Sequence, residues 1–199
     1  MGAPYSGRGR PSRDELGMIV ARIRGMEFRF LTAPGVFSWR RVDKGTLLLA
    51  ESAPFDRVGS VLDLGCGYGV LGIVAARVMG EGRVVLTDVN PRAVWLARRN
   101  VELNGVGDVA EVRRGDLYGP VEGESFELIV CNPPVREGLR VVNKIIEEAP
   151  GYLEEDGELW LVVRRRMGAE RVRDRMAEVF GSVEVAARGS GYWVLRAPG

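Results

Sequence analysis

Apolar positions recur along this chain with two alternating periods, about two residues and about three to four, and the switches between them predict its elements. From Met18 to Leu31 apolar and polar residues trade places, Ile19, Ala21 and Ile23 being answered by Met26, Phe28 and Phe30; this predicts a short hairpin turning at Gly25. Thr32 to Trp39 contains the Pro34-Gly35 pair of a loop, and Asp43 stands where it would cap a helix from about Lys44 to Ala50. A regular succession follows. A strand from Ser60 to Leu64 runs through a glycine-rich turn into a helix from about Gly69 to Met79, and a strand from Arg83 to Thr87 ends at Asp88. Asn90-Pro91 opens a helix to about Leu103, closed by Asn104-Gly105. Then come strands at Ala110 to Arg113 and Phe126 to Cys131, a helix from Leu139 to Glu148, a strand from Leu159 to Val163, and a helix from Ala169 to Val179. Two last strands, Val183 to Ala187 and Tyr192 to Leu195, are joined through Gly189-Ser190-Gly191.

Strand and helix alternating over this length imply a doubly wound α/β domain, its mostly parallel sheet covered by helices on both faces. The last two strands form a C-terminal antiparallel hairpin, and the first hairpin is a short N-terminal β extension. Residues 1–15, poor in apolar side chains and rich in Gly, Pro and Arg, read as a flexible arm. That leaves 16–199 as a single domain, with the extension over 16–52 and the core over 53–199.

Composition narrows the chemistry. Histidine is absent, and Cys66 and Cys131 lie in apolar runs without metal-ligating neighbours, so no metal site and no Ser-His or Cys-His nucleophile is expected. No stretch reaches the roughly 18 uninterrupted apolar residues of a membrane span, and the start of the chain lacks the apolar stretch of a signal peptide. The expectation is a cytoplasmic protein with reduced thiols, away from membranes. A net charge of +1 is not the footprint of a protein that grips nucleic acid over its whole surface. The positive charge is nonetheless grouped: Arg8, Arg10 and Arg13 in the arm, Arg40 beside Arg41, and Arg164, Arg165 and Arg166 in a run. Most of these arginines are expected to be solvated or paired with nearby acids.

Two segments carry candidate chemistry. In Val61-Leu62-Asp63-Leu64-Gly65-Cys66-Gly67-Tyr68-Gly69 an apolar strand runs into glycines and then directly into a helix, and glycine lets the backbone approach a ligand that a Cβ would hold off. Asp88, closing the next strand about 20 residues on, stands where such folds bind ribose hydroxyls. A purely structural turn and a nicotinamide or flavin site are the competing readings. Asp63, placed before the glycines, would repel a pyrophosphate but suits ammonium and sulfonium charges, which favours S-adenosylmethionine. The second segment, Asn132-Pro133-Pro134-Val135, follows an apolar strand at the sheet edge where open α/β sheets bind ligands. Consecutive prolines fix the backbone and remove two donors, so an asparagine oxygen beside a rigid carbonyl forms an acceptor pair suited to an exocyclic NH2. A plain Pro-Pro stop after a strand is the alternative.

Taken in order, Asp63-Leu64-Gly65-Cys66-Gly67-Tyr68-Gly69, Asp88, Gly115-Asp116 and Asn132-Pro133-Pro134 resemble the motifs of class I S-adenosylmethionine-dependent methyltransferases that act on amino groups. More narrowly, Gly35-Val36-Phe37-Ser38 followed by Asp43-Lys44-Gly45-Thr46 resembles the lead-in of the methyltransferase small domain family, which includes guanine-N2 methyltransferases of small-subunit ribosomal RNA and archaeal single-domain relatives. The likeness runs from about residue 18 to the end. It implies a Rossmann-like, seven-stranded fold in which Gly65, Gly67 and Gly69 pass under the methionine part of the cofactor. By the same resemblance Asp88 holds the ribose, Asp116 contacts the adenine amine with Leu117 nearby, and Asp63, Cys66, Val89 and Asn132 complete the cofactor-binding set. Asn132, Pro133 and Pro134 are the implied catalytic residues, positioning the target nitrogen, and Phe37, Ser38 and Val135 border the substrate. Many relatives carry an aromatic residue after Asn-Pro-Pro; here Val135 stands in its place, so stacking falls to Phe37, Trp39 or Tyr68.

The implied reaction is in-line displacement at the sulfonium methyl by an exocyclic amine of a base in RNA, guanine N2 of ribosomal RNA first, with Arg164 and Arg165 meeting phosphates at the same sheet edge. An N6-adenine target is an alternative. So is a protein glutamine amide, as in release-factor methyltransferases, which usually have an N-terminal helical domain and a tyrosine after the prolines; this sequence shows neither. A non-catalytic module retaining the cofactor fold is a third, and it would be marked by degraded motifs. The oligomeric state is left open.

Overall fold

A computed structural model describes residues 9–135 and 138–199. β1 (Gly17–Ile23) and β2 (Met26–Thr32) pair antiparallel as the expected first hairpin. The main sheet contains β3 (Ser60–Leu64), β4 (Arg83–Asp88), β5 (Ala110–Arg114), β6 (Phe126–Cys131), β7 (Leu153–Arg164), β8 (Glu184–Gly189) and β9 (Tyr192–Pro198), in spatial order β5-β4-β3-β6-β7-β9-β8. β3 to β7 run parallel, and β9 inserts antiparallel between β7 and β8. The helices are α1 (Lys44–Ser52), α2 (Val70–Met79), α3 (Pro91–Leu103), α4 (Leu139–Glu148) and α5 (Ala169–Phe180).

Successive side chains of a strand point to opposite faces, and in the central strands both faces are apolar because both are covered. Val61, Leu86, Leu128, Val130 and Val162 join one core with α1, α2, α3 and the first hairpin. Their neighbours Leu62, Val85, Ile129, Leu161 and Val163 join a second core with α4 and α5. The fold is the three-layer α/β arrangement that the sequence predicts, with its antiparallel C-terminal strands and N-terminal hairpin.

The first hairpin belongs to no larger sheet, and Asn100 of α3 with Asn104 at its C-cap serve as its third strand. Asn100 accepts from Leu31 N–H at 2.6 Å and donates to Leu31 O at 2.9 Å and to Tyr68 O at 2.8 Å. One turn on, Asn104 accepts from Arg29 N–H at 3.2 Å and donates to Arg29 O at 2.8 Å. The match is one of pitch: four helical residues rise about 6 Å and two strand residues about 6.6 Å. Asn100→Ala strands three backbone groups at once, so the variant is expected to lose about 2 kcal/mol of stability in urea unfolding.

Three segments depart from the periodicity. β7 starts at Leu153 rather than Leu159, because Glu154-Glu155-Asp156 are exposed and carry no apolar alternation although the strand pairs. Its register against β6 jumps from Leu153 opposite Phe126 to Glu158 opposite Leu128. β9 continues past Leu195 to Pro198, with Ala197 buried. Residues 9–15 of the expected arm lie against α3: Arg92 reaches Glu15 and Pro34 O at 2.8 Å and Gly9 O at 3.3 Å, and Arg10 sits 5.4 Å from the Trp95 ring centroid. Arg8 lies outside the described residues. No helix among the described residues is long and apolar enough to cross a membrane.

Candidate functional site

The strand order reverses at β3, with β4 and β5 to one side and β6 onward to the other, and such a switch point opens a crevice at the carboxyl ends of the strands. The turn after β3 forms its floor. Gly65 and Gly67 sit at φ 73° and 57°, and a Cβ on either would project into open space on the cavity side. Three hydrogen bonds hold the turn to the end of β4: Gly65 N–H and Cys66 N–H donate to Thr87 O at 2.9 Å, and Gly67 N–H donates to Asp88 at 2.8 Å. The other oxygen of Asp88 accepts from Asn90 N–H at 2.8 Å. The cavity above has a volume of about 990 Å³.

Of its carboxyl groups, Asp63 is buried and Asp88 half-buried. Asp63 accepts from Gly72 N–H at 2.8 Å, and burial, reinforced by the charge of Asp88, pushes it up to about 7. Burial raises Asp88 as well, against the pull of its backbone donors. The thiols of Cys66 and Cys131 are driven well up by burial, so neither is available as a thiolate.

Opposite the glycine turn, Asn132 is fixed by its amide nitrogen, which donates to Thr46 Oγ1 at 2.8 Å and Asp43 Oδ2 at 3.3 Å. With the NH2 held on α1, Oδ1 is the edge left to the cavity. Asp43 is more than a helix cap. Besides Gly45 N–H and Thr46 N–H it accepts the Tyr192 hydroxyl at 3.0 Å, and the Arg164 guanidinium lies 5.3 Å from the centroid of that tyrosine ring. Gly45 permits the approach, since a Cβ there would fall 2.6 Å from the Tyr192 ring. The Pro133 carbonyl, expected to face outward, already accepts from Val135 N–H at 2.8 Å and has one lone pair remaining.

Of the residues singled out in the sequence, Phe37, Ser38, Asp63, Gly65, Cys66, Gly67, Asp88, Val89, Asp116, Leu117, Asn132, Pro133, Pro134, Val135 and Arg164 line this cavity together. Gly69 does not; its Cβ position faces Ile73, Leu86 and Ala97 inside the α2 packing. Arg165 lines a neighbouring cavity instead. Tyr68 is on the lining and Trp39 is not. Asp43, Thr46, Asn90 and Tyr192 are lining residues that the sequence did not assign to the site. The motif Asp43-Lys44-Gly45-Thr46 signalled the first two and Asn90-Pro91 was read only as a helix start; nothing local marks Tyr192.

A switch-point crevice built this way places the chain among the Rossmann-like domains that take nucleotide cofactors. It belongs to the methyltransferase small domain family, whose profile matches residues 27–196. The chain is 37% identical over 178 residues to the uncharacterized protein YbxB of Bacillus subtilis (strain 168), covering 88% of each. It is 36% identical over 180 residues to the ribosomal RNA small subunit methyltransferase C of Hamiltonella defensa subsp. Acyrthosiphon pisum (strain 5AT), covering 88% of this chain and 52% of that protein. In structure it is similar to the T. thermophilus 16S rRNA N2 G1207 methyltransferase (RsmC), solved in complex with AdoMet and guanosine: TM-score 0.81, 31% identity, 94% of this chain and 51% of that one. The chain thus spans about half the length of the ribosomal RNA methyltransferases that it matches.

Proposed function

We propose that this chain transfers a methyl group from S-adenosylmethionine to an exocyclic amine of a base in RNA, with guanine N2 of ribosomal RNA as the target. The observation that carries the reading is the Asn132 amide, held by its nitrogen on Thr46 and Asp43 so that its oxygen serves as an acceptor at the cavity. The ribosomal RNA methyltransferases among the relatives support the choice of substrate.

The crevice fits the cofactor. Open space over Gly65 and Gly67 admits a group that any Cβ would displace, and buried Asp63 supplies negative charge for a cationic ligand. After its two backbone bonds, Asp88 keeps lone pairs for ribose hydroxyls, with Val89 beside it and Asp116 and Leu117 at the adenine end. S-adenosylmethionine supplies an electrophilic methyl on a sulfonium centre. The chain's own part is positioning: Asn132 Oδ1 and the remaining lone pair of the Pro133 carbonyl accept from the substrate NH2, hold it in the ring plane and aim its lone pair, while Pro134 keeps that backbone rigid. Phe37, exposed on the lining, offers the aromatic surface that Val135 lacks, whereas Tyr68 is buried against Phe30. The product nitrogen loses its proton readily, so no histidine base is required. In this reading 16–199 act as one domain, and the 16–52 extension closes the site through Asp43 and Thr46.

Asp63 makes cofactor binding dependent on pH. Its value is raised from 3.8 to about 7, so the fold favours the protonated acid, and the cost of ionising it inside the protein develops between those two values. A cationic ligand needs the carboxylate. Affinity for S-adenosylmethionine, measured by calorimetry, is therefore expected to rise about tenfold per pH unit toward pH 7 and to level off above it. Asp88 is shifted in the same direction, so Asp63→Asn, which keeps an acceptor for Gly72, is the variant that assigns the step.

The test of function is transfer of label from S-adenosylmethionine into RNA, DNA and protein fractions side by side, with the RNA digested to nucleosides. N2-methylguanosine is expected. N6-methyladenosine would keep the mechanism and move the target, and label confined to protein would replace RNA with a glutamine amide. Cofactor binding with no acceptor in any fraction would count against an enzyme.

A further inference from the structure

A second cavity, of about 690 Å³, adjoins the first. Its walls are Arg165 and Arg166 from the turn after β7, Arg171 from the first turn of α5, and Leu139 at the start of α4. Val135 and Met167 line both cavities, so the two meet at these side chains. The arginine run therefore divides: Arg164 turns to the first cavity and stacks on Tyr192, while Arg165 and Arg166 face the second.

Several arginines elsewhere on the surface are neutralised within the chain. Arg113 pairs with Glu111 and Glu124, Arg175 with Glu147 and Glu178, and Arg196 with Glu158 and Glu184. Arg165, Arg166 and Arg171 are exposed and make no ion pair among the described residues. Glu170, also on the lining, pairs with none of them. The first-turn N–H groups of α5 face the same rim, and Gly168 at its N-cap offers no side chain to satisfy them. Three unneutralised guanidinium groups spread along a groove suit a row of phosphates better than one small anion. Continuity with the base cavity lets one molecule place its base in the first and its phosphates along the second.

The geometry points to this groove as the track for the phosphodiester backbone that adjoins the target nucleotide, so that the enzyme acts on a base within a strand rather than on a free nucleoside. The inference rests on the RNA reading above and names what holds the strand. The test is binding of a guanosine-containing single-stranded RNA oligonucleotide to the full chain loaded with S-adenosylmethionine, by fluorescence anisotropy over a salt series, with cofactor affinity measured alongside. Arg166→Ala/Arg171→Ala is expected to weaken RNA binding about tenfold for each arginine and to reduce the slope of log K against log salt by about 1.4, with cofactor affinity unchanged. Arg166→Lys/Arg171→Lys keeps the charges and is expected to keep the slope. If cofactor affinity fell too, marking a folding defect, Arg166→Ala alone, on an exposed turn, repeats the comparison. Unaltered RNA affinity and slope in the alanine variants, with the parent chain still methylating RNA, would overturn the track and spare the RNA reading. A parent chain that neither binds nor methylates RNA would sink both.

Discussion

Replacing Asn132 with alanine is expected to slow methyl transfer about 10²- to 10³-fold while leaving affinity for S-adenosylmethionine nearly unchanged. The amide is held from behind by Thr46 and Asp43, so its oxygen is already oriented when substrate arrives, and little reorganisation is needed as charge develops on the attacking nitrogen. Alanine removes the acceptor and leaves Thr46 Oγ1 without the donor it now has. Asn132→Asp is expected to do no better, because it sets a second carboxylate against Asp43 and gives up the NH2 that α1 holds. Single-turnover kinetics on methyl-accepting RNA, with cofactor affinity measured separately, separates the roles. A loss of affinity as large as the loss of rate would move Asn132 from aligning the amine to binding the cofactor.

Asp88→Ala is expected to weaken cofactor binding by about 10²-fold or more, since charged acceptors of hydroxyl donors contribute about 1.5–3 kcal/mol each. The same change frees Gly67 N–H and Asn90 N–H, which Asp88 now ties to the end of β4, so the glycine turn loses its staple as well as the proposed ligand contact. The fold itself need not suffer: burial disfavours the ionised carboxyl, and its removal relieves that cost. Calorimetry with S-adenosylmethionine, beside a melting curve without it, tells the two contributions apart. Unchanged affinity would leave Asp88 as a loop staple only.

Elements with one clear period were legible from sequence: β3, β6, α3 and α4 begin and end where the apolar pattern places them. That the glycine turn, Asp88 and Asn132 share one crevice was legible because their signals are local, glycines in a strand-to-helix turn and polar residues at strand ends. What stayed hidden depends on pairing between distant segments. Asn100 and Asn104 look like the polar side of a helix until β2 is laid beside them. Asp43 is explained as a cap by its immediate neighbours, and only the insertion of β9 next to β7 brings Tyr192 to it. The exposed acids 154–156 conceal the start of β7, and an arginine run that reads as one patch is split between two cavities by the bend after β7.

The tyrosine that seats Asp43 comes from the last strand, 149 positions further along the chain. A polypeptide made from its N-terminus therefore completes the glycine turn, Asp88 and even Asn132 before the outer support of the acceptor exists. In a nascent chain that has emerged only as far as β7, the cofactor crevice has its parts while the asparagine rests on a helix end not yet braced. The brace on Asp43 arrives only with the final hairpin, the last part of the sheet to be made.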